Sequence, residues 1–276
     1  MSSGIPLAIN GSFSEVSIER LRKYVLALEG TRHGWEDYDA LTEKGKFIEA
    51  TLQSFNLQVE SQDVPFYGRF YQNIIATIEG TDREKEWILL GAHYDAAWGS
   101  PGADDNASGV AILLEAAWIL SKQKFERTTQ FVAFTLEEPQ PQTIRFLIGS
   151  NHFAKEAKKF RRKYKAILVL ESVGYTDDTE GSQIVPAFVK KRVPKRGVPQ
   201  LILVPYKVPF SGYLIPQTRF SDHASFWNYG YPALMLTDTA MFRNPYYHTV
   251  HDRYETLDFN FMVNVTKAVI SFILTH

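Results

Sequence analysis

The chain has 276 residues, of which 45% are hydrophobic, and a formal net charge of −1. These values are ordinary for a globular protein, and the near-zero charge gives no reason to expect nucleic acid or an acidic membrane surface as a partner. The chain contains no cysteine, which excludes disulfides, thiolate ligands and cysteine nucleophiles, so any metal must be held by histidine and carboxylate side chains.

The first residues, 1–6, have neither the basic n-region nor the long apolar h-region of a signal peptide. No run along the chain approaches the roughly 18 apolar residues that a membrane span needs. We therefore expect a soluble protein without a membrane span, either cytoplasmic or exported with its signal missing from this sequence. The sequence leaves the oligomeric state open.

Periodic apolar residues predict helices alternating with strands. Ser17 is a candidate N-cap for the first helix, Gly30 is its stop, and Asp258 is a candidate N-cap for the last helix. The predicted elements are helices over 18–28 and 39–55, strands over 57–64, 73–79 and 87–90, a helix over 110–120, a strand over 129–136, a helix over 150–162, strands over 166–170 and 201–204, a short helix opening at 221–225, a strand over 232–237, and a last helix with the apolar face 262–272.

This alternation indicates an α/β fold, a three-layer sandwich with a mostly parallel, mixed central sheet flanked by helices. No repeat or linker divides the chain, so we expect one domain over 1–276, with an irregular insertion at about 177–199. The basic run 190–196 in that insertion is interpreted as a solvated loop rather than a docking site for acidic substrates.

A polar stretch, Gly91–Gly109, joins a predicted strand to a predicted helix. His93 and Asp95 are two residues apart where the strand should end, so they share a face, and one could bind a metal while the other orients it. Asp104 and Asp105 add two carboxylates in a loop rich in small residues. Adjacent acids near a histidine are costly unless a cation neutralises them or water solvates them.

Three predicted strands end on acidic residues or histidine. His93, Glu137–Glu138 and Glu171 follow buried strands, and ligands of open α/β sheets bind at the carboxyl ends of the strands. Consecutive strand residues point to opposite sides, so Glu137 and Glu138 do not easily bind the same metal. One of them can bind while the other faces the substrate, as a general base should.

Two further polar clusters lie towards the end of the chain. The segment Asn244–Asp252 contains His248 and His251, both candidate ligands. The segment Ser221–His223 could suggest a hydrolase acid–base pair, but three consecutive side chains point in different directions. The chain also lacks a Gly-x-Ser-x-Gly elbow that would supply a nucleophile, so a serine triad is disfavoured.

Taken in order, these blocks resemble the M28 family of zinc aminopeptidases, which are co-catalytic two-zinc exopeptidases. The resemblance extends over about Gly91–Asp252 and is general before Gly91. The blocks that carry it are Gly91–Asp95, Pro101–Gly109, Glu137–Glu138 with Gly149–Ser150, Glu171–Gly174, Ser221–His223 and Tyr247–Asp252.

The resemblance implies a zinc exopeptidase-like fold, two Zn²⁺ ions per chain and peptide substrates with a free N-terminus. Asp105 would bridge the ions, Asp95 would be the catalytic-site carboxylate behind His93, and Glu137 would be the general base. A cis peptide is implied at Asp105–Asn106. The metal ligands implied by the resemblance are His93, Asp105, Glu138, Glu171 and His248.

Other interpretations remain open: a glutaminyl-cyclase-like single-zinc transferase, a non-catalytic binding domain of the same fold, and a carboxypeptidase or aminoacylase. The bridging acid block favours the two-metal peptidase over the cyclase. The carboxypeptidase or aminoacylase would need a basic residue for a substrate carboxylate, for which Arg219 and Arg243 are candidates.

One loop departs from the family pattern, in which a short glycine-containing turn usually follows the Glu-Glu pair. Here the loop 139–148 is longer and begins Pro-Gln-Pro, which bears on substrate preference. Aromatic residues beside the blocks are candidates for an apolar side-chain pocket. They are Trp98, Phe220, Phe242 and Tyr246.

Overall fold

The computed structural model of the protein describes residues 7–141, 143–177 and 207–276. The helices in these ranges are α1 (Leu7–Ser14), α2 (Ile18–Leu28), α3 (Tyr38–Ser54), α4 (Gly109–Leu120), α5 (Ile148–Lys159), α6 (His223–Asn228) and α7 (Phe259–Thr275). The strands are β1 (Gln58–Phe66), β2 (Arg69–Ile78), β3 (Trp87–His93), β4 (Thr129–Phe134), β5 (Tyr164–Glu171) and β6 (Ala233–Thr237). The predicted strand 201–204, the basic run 190–196 and the predicted insertion after residue 177 lie outside the described residues.

The strands form one mixed sheet in the order β1-β2-β4-β3-β5-β6. The neighbours β4–β3, β3–β5 and β5–β6 are parallel, whereas β1–β2 and β2–β4 are antiparallel. The prediction of a mostly parallel, mixed sheet is confirmed. Because β3, β4 and β5 are parallel neighbours, their carboxyl ends lie along the same edge.

Alternate residues of the central strands pack into two separate cores. Leu90 and Phe131 belong to the core formed with α2, α3, α4 and α7. Their chain neighbours Leu89 and Val132 belong to the core formed with α5 and α6. This period of two follows from the pleat of a strand, and it places the sheet between two helical layers. The predicted three-layer sandwich is therefore confirmed.

The helix at the centre of the first core is more buried than its sequence periodicity suggested. Every residue of α4 except Trp118 is buried, because α2 and α7 pack on it while the sheet lies beneath it. The predicted caps are confirmed: the Ser17 hydroxyl accepts from the Arg20 N–H, and Asp258 accepts from the N–H groups of Asn260 and Phe261. The helix α1 was not predicted.

Two boundaries differ from the prediction in an informative way. Pro65 was placed in the turn, but it lies within β1 opposite Phe70. The strand tolerates proline because β1 is at the edge of the sheet and pairs on one side alone. The helix α5 ends at Lys159 rather than near 162, and Arg161 has a left-handed φ of 54°. None of the described helices is long and apolar enough to cross a bilayer.

Candidate metal centre

The predicted site residues meet at the edge formed by the carboxyl ends of the parallel strands. His93 is the last residue of β3, Glu171 is the last residue of β5, and Glu137 and Glu138 follow β4. All four side chains are buried. Charged and imidazole groups are rarely buried without partners, so their convergence calls for a compensating charge.

The first group of candidate ligands is fully enclosed. His93 Nε2 lies 3.2 Å from Asp105 Oδ1 and 3.5 Å from Glu171 Oε1. Donor atoms of these three residues lie within 4.8 Å of one another, a spacing that suits a single ion between them.

The second group shares Asp105 with the first. His248 Nε2 lies 3.0 Å from Asp105 Oδ2 and 3.2 Å from Glu138 Oε1. Asp105 therefore presents one carboxylate oxygen to each histidine. The other histidine of this segment, His251, is exposed and contacts the ring of Tyr246 instead, so it lies outside both groups.

Glu137 lies beside these groups without belonging to the two that share Asp105. Its Oε2 is 3.9 Å from His93 Nε2, and its carboxylate also falls within metal-binding distance of His93 and Glu138. Burial raises the pKa of Glu137 well above its ordinary value; His93 opposes this effect, while the carboxylate of Glu171 adds to it. Glu137 is thus a buried carboxyl group with raised proton affinity next to both groups.

The donor atoms are available to a metal because no hydrogen bond among the described residues occupies them. Both ring nitrogens of His93, both carboxylate oxygens of Asp105 and Oε1 of Glu138 are buried without a hydrogen-bond partner of acceptable geometry among the described residues. Buried polar atoms without partners are rare in proteins. Nitrogen and oxygen donors in sets of this kind are the ligands of zinc in proteins that lack thiolates.

The proton affinities of these groups have a consistent electrostatic cause. Burial would raise the pKa of Asp105, but the close imidazoles of His248 and His93 outweigh it and hold that pKa well below its ordinary value. Burial raises the pKa of Glu138 to about 7, and Asp105 contributes. Burial would lower the pKa of His248, but Asp105 and Glu138 raise it to about 11. The negative charge that raises the pKa of His248 would equally favour a divalent cation bound by the same atoms.

Asp95 supports the centre from behind, in the place where the sequence predicted a supporting carboxylate. Its Oδ1 lies 3.5 Å from His93 Nδ1. The same carboxylate accepts the backbone N–H groups of Glu137 and Glu138, each at 3.0 Å. One side chain thereby fixes the backbone of both glutamates and places its carboxylate next to the His93 ring.

Asp252 makes the same kind of clamp on the opposite loop, and the sequence analysis assigned it no role. Its two oxygens accept the N–H groups of Asp104 and Asp105 at 2.8 and 3.0 Å. Asp104 itself accepts from the Gly174 N–H and the Asn244 side-chain amide, both at 2.8 Å, so it braces the loop and does not join the ligand groups. The only sequence signal was that Asp252 closes one of the family blocks.

Arg32 is a second residue that the sequence analysis missed, because it lies outside the predicted elements and outside the family blocks. Its guanidinium is fully buried and donates to the carbonyl oxygens of Tyr94, Pro101 and Gly102. These carbonyls lie in the loop between His93 and Asp105. The buried cation therefore ties that loop together and offsets part of its negative charge.

The loop itself depends on a close backbone approach. Gly102 has a φ of 60°, and an added Cβ would meet the Asp105 carbonyl oxygen at 2.4 Å. The peptide Asp105–Asn106 is cis, as the resemblance implies. The Asn106 side chain accepts from Ser172 and Gly109 N–H groups and donates to the Leu170 carbonyl, which joins the loop to the end of β5.

The Ser221–His223 segment has separate partners for its side chains. The Ser221 hydroxyl donates to Glu171 Oε2 at 2.7 Å, so it orients a candidate ligand. His223 is buried with its Nε2 2.8 Å from the Thr218 carbonyl oxygen, and its ring packs edge-on against Trp227. This arrangement agrees with the sequence analysis, which disfavoured a serine triad.

The aromatic candidates occupy different environments. Trp98 is 75% exposed and Tyr246 is 36% exposed, while Phe242 is half-buried. Phe220 lines a pocket together with Arg219 and residues of α6. Arg243 precedes Asn244, the residue that braces Asp104.

Comparisons with known proteins agree with this geometry. The profile of "Peptidase family M28" matches residues 73–273. YfbL of Escherichia coli K12, described as uncharacterized, is 35% identical over 92% of this chain and 87% of its own length. A probable leucine aminopeptidase of Arthroderma otae is 32% identical over 75% of this chain, which covers 58% of that fungal protein.

Solved structures show the same fold at low identity. The LapA aminopeptidase of Legionella pneumophila has a TM-score of 0.74 at 20% identity, covering 96% of this chain and 73% of its own. A glutaminyl cyclase of Bacteroides thetaiotaomicron has a TM-score of 0.70 at 19% identity, covering 95% of this chain and 99% of its own. Because the family profile spans most of the chain, the chain belongs to peptidase family M28.

Proposed function

We propose that the protein is a two-zinc aminopeptidase that removes the N-terminal residue of peptides. The observation that carries this proposal is the position of Asp105, which presents one oxygen towards His93 and the other towards His248. Two cations held by these two groups would need negative charge between them, and the Asp105 carboxylate would supply it. A single-domain peptidase over 1–276 is part of the same proposal.

The ligand assignment follows from the two groups. His93, Asp105 and Glu171 would hold one zinc, and Asp105, Glu138 and His248 would hold the other. Zinc bound there supplies a Lewis acid for the scissile carbonyl and lowers the pKa of water near it.

Glu137 is proposed as the general base. It lies within reach of both groups and has a raised pKa, so it can accept a proton from the attacking water and later donate it to the leaving amine. The Glu137 backbone N–H is held by Asp95, which keeps the carboxylate at this edge.

The substrate class is a peptide with a free N-terminus. The fungal relative is named a probable leucine aminopeptidase, and we extend to this chain a preference for an apolar N-terminal residue. The cyclase is the second candidate function, because its fold overlays this chain almost completely.

One experiment separates the two candidates. Purified, zinc-supplemented protein is analysed for zinc per chain and assayed with leucine anilide and with a peptide that begins with glutamine. We expect about two zinc ions per chain and release of the aniline. A single zinc with ring closure of the glutamine peptide and an intact leucine anilide would favour the cyclase instead.

A further inference from the structure

A pocket of about 320 Å³ is lined by residues of α5, α6 and the loops before them. Its wall includes Phe146 and Phe220, whose rings meet edge to face at 6.3 Å, with Leu147 and Ala224 beside them. Phe146 comes from the loop 139–148, the segment that departs from the family pattern. One wall of the pocket therefore comes from the loop that is longer than the usual family turn.

Two hydrogen bonds connect this pocket to the centre. The Leu147 N–H donates to the Glu137 carbonyl oxygen at 2.8 Å. Phe220 directly precedes Ser221, whose hydroxyl donates to Glu171. The pocket thus lies against the backbone that carries two of the candidate site residues, Glu137 and Glu171.

The pocket also contains a cation. Arg219 lines the pocket, and its guanidinium carbon lies 4.3 Å from the centroid of the Tyr213 ring. It donates to two neutral acceptors, the Ser211 carbonyl and the Asn228 side-chain oxygen. No carboxylate of the described residues forms an ion pair with it within 4.0 Å. The positive charge is thus oriented by its hydrogen bonds without being neutralised by them.

The backbone holds Arg219 in this place. Gly212 has a φ of 80°, and a Cβ there would meet Thr218 Oγ1 at 2.5 Å and Arg219 Cγ at 2.9 Å. The turn that carries Ser211 therefore packs tightly against the arginine stem. A guanidinium held in one position loses little rotational freedom on binding an anion, and its planar fork matches a carboxylate.

We propose that this pocket receives the carboxylate-bearing part of a peptide substrate, with Arg219 as the anion-binding group. The ligand is a carboxylate, supplied either by the C-terminus of a short peptide or by an acidic side chain. The proposal rests on the proposed peptidase function and adds a substrate class to it. Arg219 is a specificity residue in this assignment, and it takes no part in bond breaking.

Equilibrium binding tests the assignment apart from turnover. Zinc-loaded Glu137→Gln protein is titrated by calorimetry with leucyl-leucine and its C-terminal amide, and with leucyl-glutamyl-leucine amide and its glutamine counterpart. We expect the carboxylate member of one pair to bind about tenfold more tightly, the scale of a charge-assisted hydrogen bond. The pair that shows the difference identifies the source of the carboxylate.

Variants of the arginine complete the test. Adding Arg219→Gln should reduce the affinity ratio to near one, and Arg219→Lys should keep part of it because the charge remains. The matched control is Arg83→Gln, an 81% exposed arginine in the turn before β3, which should leave the ratio unchanged. Equal affinities within both pairs, or a ratio that survives Arg219→Gln, would overturn the proposal.

Failure of the peptidase function gives a different result. If the protein is not a peptidase, the wild type will leave leucine anilide intact. The affinity ratios do not depend on that assay, because they are measured without turnover. Raising the salt concentration should shrink the ratio, because Arg219 is partly exposed and its charge is screened.

Discussion

The two halves of the candidate metal centre are built differently. The half around His93 stands on strand ends, with His93 and Glu171 both terminal residues of parallel strands and almost fully buried. The half around His248 depends on a loop: the His248 side chain is 35% exposed, its φ is 58°, and its ring stacks on Tyr247 at 3.9 Å. Loops with exposed backbone open locally at lower free energy than buried strands. We infer that the His93 half is the rigid one and the His248 half the exchangeable one.

The largest effect is expected where the halves meet. Asp105→Ala removes an oxygen from both groups, so we expect zinc to fall from about two ions per chain towards none and leucine anilide hydrolysis to disappear. Elemental analysis and a rate assay measure both. Circular dichroism of the variant provides the folding control, and retention of full zinc content would contradict the bridging role.

Glu137→Gln should slow the hydrolysis without removing zinc from either half of the centre. The substitution removes the proton acceptor, so we expect kcat to fall by about 10²–10⁴, the usual contribution of a general base. Zinc content should stay as in the wild type, because Glu137 lies outside both groups that share Asp105. Near-normal turnover of this variant would remove Glu137 from the mechanism.

His93→Ala and His248→Ala test the asymmetry directly. Chelator treatment of the wild type should release zinc in two phases, and the fast phase should belong to the exposed His248 half. We expect His248→Ala to lose the fast phase and keep one ion, whereas His93→Ala should lose the slowly released ion. A colorimetric zinc indicator follows the release, and identical kinetics for the two variants would refute the asymmetry.

The two carboxylate clamps allow a finer comparison. Asp95 and Asp252 each hold two successive backbone N–H groups, but Asp95 also lies 3.5 Å from a ligand ring. Asn in either place retains one acceptor oxygen and no charge. Mutation of a supporting group of this kind lowers metal affinity by about 10–100-fold. We expect the loss in Asp95→Asn to fall near the upper end of that range. Competition with a calibrated chelator gives the affinities, and a larger loss in Asp252→Asn would reverse the ranking.

A smaller effect is expected outside both halves, from the pH dependence of His223. Burial lowers the pKa of His223 to about 4 from an ordinary value of 6.5. Between these values the unfolded chain binds a proton that the folded chain does not, so the free energy of unfolding falls as the pH falls. With chelator present, the free energy of unfolding of the wild type should fall by about 1.4 kcal/mol for each pH unit of acidification in this window, relative to that of His223→Gln. Urea unfolding at several pH values measures the difference; parallel curves for the two proteins would contradict it.

Local patterns predicted much of the fold because the forces behind them are local. Ser17 and Asp258 cap helices through bonds to residues two or three positions ahead, and the pleat alternates Leu89 and Leu90 between the two cores. The carboxyl ends of buried strands could also be read from runs of apolar residues that stop at His93 or Glu171. The place of Pro65 could not, because the chain alone does not tell which strand lies at the edge.

The sequence by itself determined the residue types of the centre, their order and the strand ends that carry four of them, since these are properties of short segments. Only the tertiary structure decided that the Asp105 oxygens face two different histidines, that Asp252 holds the loop around Asp105 and that Arg32 lies buried beneath it. Those contacts join residues separated by 12 to 147 positions. Such contacts depend on the packing of whole layers, and no local periodicity encodes them.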